Sequence, residues 1–335
     1  MKEEKENSLG ERLAELLLAG RGTPVSGEEL ASRLGVTRAA VWKEMEKLRT
    51  QGYQIQSAPR RGYQLAGLPD VMTREVIASL LPADRRGALV ALPEVDSTNT
   101  YAQRLALDGA GHGTVVTADR QTRGAGRMGR SFESPAGEGV YLSMILEPDC
   151  GPRALSLLTS FAGLAVCRAI QEECGLSPRI KWPNDIILEG KKVCGILTKL
   201  VTDGENNRVT HAVVGIGINV GQREFGPELR EKAISLHQAG ADVTRPQVAA
   251  AVIRQMDRIF TQERWLSDPG PDKVEELKAL SCTLGAHVTI LSPLGTEEGQ
   301  ALDIAPDGGL VVRVGETVKT IASGEVSVRG ILGYV

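Results

Sequence analysis

The residues best suited to handling an anion are concentrated in Gln121-Thr122-Arg123-Gly124-Ala125-Gly126-Arg127-Met128-Gly129-Arg130. Glycines let backbone amides approach a charged group, and interleaved arginines neutralise it, which is the logic of a phosphate-cradling nest. No Gly-Lys-Ser/Thr follows, so this is not a Walker loop. The G-x-G-x-x-G spacing also lacks the helix and acidic partner of a dinucleotide fingerprint. Taken alone, the stretch reads equally well as a basic surface loop. Its companions favour chemistry. Lys181-Trp182-Pro183-Asn184-Asp185 sets a cation and a carboxylate around a rigid turn, and Gly190-Lys191-Lys192-Val193-Cys194-Gly195-Ile196-Leu197 reads as a hairpin carrying two lysines. Val213 to Val220 is an apolar strand whose glycines either receive a flat ligand or pack tightly. Asp96-Ser97-Thr98-Asn99 offers hydroxyls and an amide ahead of a helix, as a cap, a ligand donor or both.

These groups need a scaffold, and the surrounding pattern supplies one. Strands are expected over Ala88 to Leu92, Thr114 to Ala118, Gly139 to Leu146, Ile180 to Trp182, Lys192 to Leu200 and Ala212 to Asn219, with an apolar helix from Ala154 to Cys174. A helix-rich stretch follows from Arg245 to Leu280. Beyond Thr283, short strands between turn clusters such as Pro306-Asp307-Gly308-Gly309 imply a small β-barrel.

The amino-terminal part has a different character. Leu9, Leu13, Leu16 and Leu17 recur at helical spacing before Gly20-Arg21-Gly22-Thr23-Pro24 stops the helix. Ser26 with Glu29 forms a capping box for a second helix, which ends at Gly35. Thr37 caps a third, in which Val41, Met45 and Leu48 face inward and Arg38, Lys43 and Lys47 face solvent. Two short strands then flank Ala58-Pro59-Arg60-Arg61-Gly62, a hairpin with a basic tip, and a helix from about Thr73 follows. Three helices with a basic hairpin describe a winged helix-turn-helix. Its third helix would enter a DNA major groove with Arg38, Lys43 and Lys47; Arg60 and Arg61 would meet phosphate or the minor groove, and Ser26 and Thr37 are also expected to contact DNA. A protein-docking module with a solvated basic face is the alternative. Trp42 reads as packing at the domain edge.

Composition narrows the classes. The 335 residues exceed one ordinary domain, and 39 Lys plus Arg against 42 Asp plus Glu give a net charge of -3. No global basic excess exists, yet residues 30 to 61 hold seven basic side chains against Glu44 and Glu46, a local balance of +5. The charged start lacks the apolar core of a secretory signal, no apolar run approaches a membrane span, and five cysteines without Cys-x-x-Cys spacing argue against a disulfide framework or zinc knuckle. A cytoplasmic protein with buried thiols is the expectation. The 38 glycines suggest loops where backbone approaches a ligand.

Together these segments resemble the bifunctional biotin protein ligase and biotin operon repressor family over nearly the whole chain. The resemblance rests on Ser97-Thr98-Asn99, Gln121 with Gly124 to Arg130, Lys181 to Asp185, Gly190 to Leu197, Gly215 to Asn219, and Gly324-Glu325-Val326-Ser327-Val328-Arg329. It implies an α+β chain with a winged helix-turn-helix (1–67), a central mixed α/β ligase domain (68–281) and a small SH3-like β-barrel (282–335). It further implies activation of biotin by Mg-ATP to biotinyl-AMP and transfer to a lysine of a biotin carboxyl carrier protein. By that similarity Ser97, Thr98, Asn99, Gln121, Gly124, Ala125, Gly126, Arg127, Lys192 and Gly195 would bind biotin. Arg127, Arg130, Lys181 and Asn219 would bind nucleotide, and Arg127, Lys192, Lys181 and Asp185 would carry the chemistry, with no resident metal. Ala125 departs from the family, which usually has a basic residue there, and Arg123 or Arg130 is available as its substitute. After Asn219 a loop leads to a polar helix, with Phe225 as an available lid residue. Operator DNA and a ligand-promoted homodimer are the implied partners. A lipoate-type ligase and a biotin-sensing transcription factor without catalysis are the competing readings.

Overall fold

The computed structural model describes residues 7–58, 62–148, 155, 157–203, 208–263, 271–292, 295–322 and 327–330. They fall into two compact units: residues up to 85 with 244–250, and residues 86–243 with those from 251 onward.

In the first unit, α1 (Leu9–Ala19), α2 (Gly27–Leu34) and α3 (Arg38–Thr50) precede a hairpin of β1 (Ile55–Ala58) and β2 (Gly62–Leu65), then α4 (Arg74–Ala78). The inward stripe of α3 is Val41, Met45 and Leu48, packed with Leu13, Leu17, Leu30, Leu34, Tyr53, Ile55 and Leu65. Caps set the helix starts. Ser26 Oγ accepts from Glu29 N at 3.0 Å, but the Glu29 carboxylate pairs with Arg33 at 2.5 Å rather than closing a capping box. The reciprocal box is instead at α1, between Ser8 and Glu11. Thr37 Oγ1 accepts from Ala40 N at 3.2 Å. Gly62 is obligatory, because its φ is +92° and a Cβ would lie 2.2 Å from Val25 O. The hairpin tip, Pro59 to Arg61 with both wing arginines, lies outside the described residues. Trp42 does not pack at an edge as expected; it is 57% exposed. The unit extends beyond residue 67. Arg245 Nε donates to Asp70 Oδ1 at 3.1 Å, and its Nη2 donates to Asp70 O at 2.7 Å.

The second unit is built on β3 (Leu89–Val95), α5 (Thr98–Leu107), β4 (Val115–Gln121), β5 (Gly139–Leu146), α6 (Leu158–Cys174), β6 (Arg179–Lys181), β7 (Asp185–Leu188), β8 (Lys191–Thr202) and β9 (Val209–Asn219). The strands form one sheet in the order β3-β4-β5-β9-β8-β7-β6, parallel only between β3 and β4. β5 is buried at every position, and α6 packs on the sheet through Phe161, Leu164 and Ala165, each at 0% exposure. Truncating Phe161 to alanine there would cost about 3–5 kcal/mol. After α7 (Arg245–Asp257) and α8 (Pro271–Leu280), β10 (His287–Ser292), β11 (Gly295–Ile304), β12 (Leu310–Val314), β13 (Thr317–Ile321) and β14 (Ser327–Gly330) form an antiparallel sheet ordered β13-β12-β11-β10-β14. The polar helix expected after Phe225 does not form; residues 227 to 232 are turns. Cys167 and Cys194 are buried free thiols, whereas Cys174 and Cys282 are only half-buried, and Cys150 lies outside the described residues. Among the described residues no helix is long and apolar enough to cross a membrane.

Candidate active site

A cavity of about 1160 Å³ lies on the face of the seven-stranded sheet where α5 begins. Its polar end is organised by α5 and β5. Thr98 donates to Gln121 Oε1 through both N (2.9 Å) and Oγ1 (3.1 Å), and Gln121 Nε2 donates to Ser134 Oγ at 2.9 Å. Asn99 Nδ2 donates to Leu197 O at 2.9 Å. Ser143 Oγ lies 2.8 Å from both Thr98 Oγ1 and Asn99 Oδ1; with one proton it serves one acceptor at a time. Ser97 occupies the N-cap position of α5 without a side-chain cap bond, leaving its hydroxyl for the cavity it lines.

The glycines of β9 line the cavity and also clear space for its side chains. A Cβ on Gly215 would lie 2.4 Å from Asn99 Oδ1, and one on Gly217 2.6 Å from the Phe132 ring. Across the ladder Gly195 pairs with Gly217, and its Cβ would meet Lys192 Nζ at 2.9 Å. The missing side chains make room for the polar and aromatic groups of the site. Phe132 is set edge-on to Tyr141, with centroids 6.4 Å apart.

The arginine-glycine loop is an ordered hairpin. Phe132 N donates to Gly124 O (2.9 Å), Gly126 N to Arg130 O (2.7 Å) and Arg130 N to Arg127 O (3.2 Å), around a short 3₁₀ turn at Arg127–Gly129. The Gly126 and Arg130 amides are thus engaged within the loop, which weakens the phosphate-nest reading. Gly124 is not among the lining residues, and its Cβ would stand 2.2 Å from Phe132 O, so glycine is needed there for hairpin closure. Ala125, Gly126, Arg127 and Arg130 line the cavity. Arg123 does not line it; its amide bonds Asp96 O at 2.8 Å.

Charge chemistry is gathered at the β6–β7 turn. Arg127 Nη1 donates to Asn184 Oδ1 at 3.0 Å, Asn184 Nδ2 donates to Asp185 Oδ1 at 3.2 Å, and Asp185 Oδ1 pairs with Lys192 Nζ at 2.6 Å. Burial lowers the Arg127 pKa, the Asp185 charge opposes that shift, and Arg130 adds to it. Lys181, 7% exposed, lines the same wall. The turn is anchored from below, since Trp182 Nε1 donates to Gly308 O at 3.0 Å and Trp182 N donates to Thr283 Oγ1 at 2.9 Å. At the far end Asn219 Nδ2 donates to Ile234 O at 3.2 Å, and Phe225 joins the lining.

The cavity therefore unites Ser97, Thr98, Asn99, Gln121, Ala125, Gly126, Arg127, Arg130, Lys181, Asp185, Lys192, Gly195 and Asn219. It adds Phe132, which the sequence did not single out, and Asn184, which lies in the Lys181–Asp185 motif but had no role there, with Ser134 and Ser143 bonded to the lining polar groups behind them. Ser143 carried a signal: it is the one aliphatic hydroxyl in the apolar run GVYLSMIL, where a buried polar group needs a purpose.

In the first unit Arg38, Lys43 and Lys47 lie on the exposed side of α3, with Lys47 paired to Glu44 at 2.6 Å.

Comparison with known proteins agrees with both units. Residues 91–219 match the Biotin/lipoate A/B protein ligase family, 11–64 an HTH domain, and 283–329 the Biotin protein ligase C terminal domain. The Bifunctional ligase/repressor BirA of Bacillus subtilis is 35% identical over 96% of this chain and 98% of its own. That of Escherichia coli is 30% identical over 97% and 98%. A solved biotin protein ligase from Aquifex aeolicus, in complex with biotin and ATP, superposes with a TM-score of 0.62 at 32% identity, covering 72% of this chain and 99% of that one. Matched end to end by such relatives, the chain belongs to the biotin protein ligases of the biotin/lipoate A/B protein ligase family that carry an N-terminal helix-turn-helix.

Proposed function

We propose that this chain activates biotin with ATP and transfers it to a lysine of a biotin carboxyl carrier protein, and that its helix-turn-helix represses biotin genes in the cytoplasm. The observation that carries the enzymatic half is the run Arg127–Asn184–Asp185–Lys192 on one wall of a cavity whose other end is a hydroxyl-amide cluster. Three parts, 1–67, 68–281 and 282–335, are the proposed division of labour.

The hydroxyl-amide cluster of Ser97, Thr98, Asn99 and Gln121 suits a small neutral ring system with urea-like donors and acceptors, leaving the ligand's carboxylate toward the cations. In the first step the carboxylate oxygen attacks the α-phosphorus and pyrophosphate leaves. Two anions must come together, and Arg127, Lys192, Lys181 and Arg130 offset their repulsion with charges already in place. Mg²⁺ enters as the counter-ion of the triphosphate substrate. In the second step the carrier amine attacks the acyl carbon and AMP leaves with the bonding pair. The amine must shed a proton, and Asp185, which pairs with Lys192, would orient it or receive that proton.

Biotinyl-AMP held without an acceptor is proposed to favour a homodimer that sets two helix-turn-helix units on a palindromic operator. This requires tighter binding of the ligand to the dimer-competent state. Pyrophosphate release with biotin or with lipoate as the acid tests the enzymatic half. Release with biotin alone supports it, and release with lipoate alone contradicts it.

A further inference from the structure

β9 runs along the cavity floor. Gly215 lies beneath Asn99 at one end and Asn219 closes the other, four residues and about 13 Å away along an extended strand. A ligand gripped at Ser97 to Asn99 reaches Asn219 only with its distal part. Gln222, 4% exposed, lines the cavity there.

The orientation of its amide is fixed by a relay. Asn219 Nδ2 donates to Ile234 O at 3.2 Å and to Lys192 O at 3.5 Å, which leaves Asn219 Oδ1 toward Gln222. Gln222 Nε2 donates to that oxygen at 3.4 Å. Backbone carbonyls only accept, so neither amide turns over without losing its partner. Gln222 Oε1 is then shielded from solvent and has no hydrogen-bond partner among the described residues. A buried acceptor without a donor is costly, and a ligand that brings a donor relieves that cost.

We propose that Gln222 Oε1 accepts from the exocyclic amino group of the nucleotide base and so selects adenine over 6-oxopurines. The inference rests on the ATP-dependent ligase reading. With the acid held at the Ser97 end and the phosphates beside Arg127 and Lys192, the base is the part of a nucleotide that extends to Asn219 and Gln222. Adenine carries an N–H donor at C6, where hypoxanthine and guanine carry an oxygen that would oppose Oε1. Because Oε1 is buried, the base reaches it only by displacing the groups that cover it. Ribose hydroxyls are the competing donors.

The test is biotin-dependent pyrophosphate release by the full chain with ATP, inosine triphosphate, purine riboside triphosphate and 2′-deoxyATP. Wild-type kcat/KM for ATP is expected to exceed that for purine riboside triphosphate, which lacks only the amino group, by about 10- to 100-fold. In Gln222→Met the ratio should fall to about threefold or less, with KM for biotin unchanged. A wild type that uses purine riboside triphosphate as well as ATP overturns the assignment without any variant. So does a ratio unchanged in Gln222→Met, or a variant that loses its preference against 2′-deoxyATP instead. No biotin-dependent release with any nucleotide brings down the ligase reading together with it.

Discussion

Adding one methyl group at Gly215 tests the polar end of the cavity. An alanine Cβ would sit 2.4 Å from Asn99 Oδ1 and 2.6 Å from Asn99 Nδ2, far inside contact distance. Asn99 cannot yield cheaply, because Nδ2 is held by Leu197 O at 2.9 Å and Oδ1 by Ser143 Oγ at 2.8 Å in a site only 4% exposed. Displacing the amide breaks both bonds and strands buried polar atoms, each at about 1–3 kcal/mol, so a total of about 2–6 kcal/mol is expected. If it fell wholly on ligand binding, biotin affinity would drop about 30- to 20,000-fold. Urea unfolding and calorimetric titration with biotin together measure how the cost divides between fold and site. Gly67→Ala, where a Cβ meets nothing within 4 Å, is the control. Stability and biotin affinity both within about 0.5 kcal/mol of wild type in Gly215→Ala would refute the placement of Asn99 over that glycine.

Three further outcomes are expected. Arg127→Ala should slow biotinyl-AMP formation at least about 100-fold, since it removes a half-buried cation from the reacting anions; a pyrophosphate-release rate near wild type would contradict this. Burial, with the Glu173 charge adding to it, pushes the Cys174 thiol up to about 11, so its thiolate is suppressed at pH 8 and grows only as pH rises toward that value. Alkylation followed by mass spectrometry should therefore be about 100-fold slower than for a free thiol of ordinary pKa at pH 8. For the DNA half, Lys43→Ala should weaken operator binding and lower the salt slope by about 1, and affinity should rise with biotin and ATP present. Operator affinity indifferent to both ligands would remove the regulatory reading.

The inward stripe of α3 and the whole of β5 were legible because burial imposes a period on sequence, 3.6 in one case and an unbroken apolar run in the other. Strand ends were less so: β3 continues to Val95 through Pro93 and Glu94, where exposure at the sheet edge removes the apolar signal. Glu29 had two possible partners, and local sequence does not say that Arg33 wins over the cap. In the site, Arg127, Lys181, Asp185 and Lys192 are apparent as charged residues near turns. What joins Arg127 to Asp185, and through it to Lys192, is Asn184, and an amide bridging two loops leaves no spacing pattern. Glycine was the most ambiguous residue type. At 215 and 217 it admits Asn99 and Phe132 from distant segments, and at 124 it closes a hairpin, distinctions that only the tertiary fold makes.

The enzymatic claim is tested most directly by incubating the full chain with biotin, Mg-ATP and a biotin carboxyl carrier domain, then measuring biotin on the carrier lysine by mass spectrometry. Stoichiometric, ATP-dependent biotinylation of that lysine, lost in Lys192→Ala, is the expected result. A carrier that stays unmodified while the chain still binds biotin would contradict the account and leave a biotin-sensing DNA-binding protein in its place.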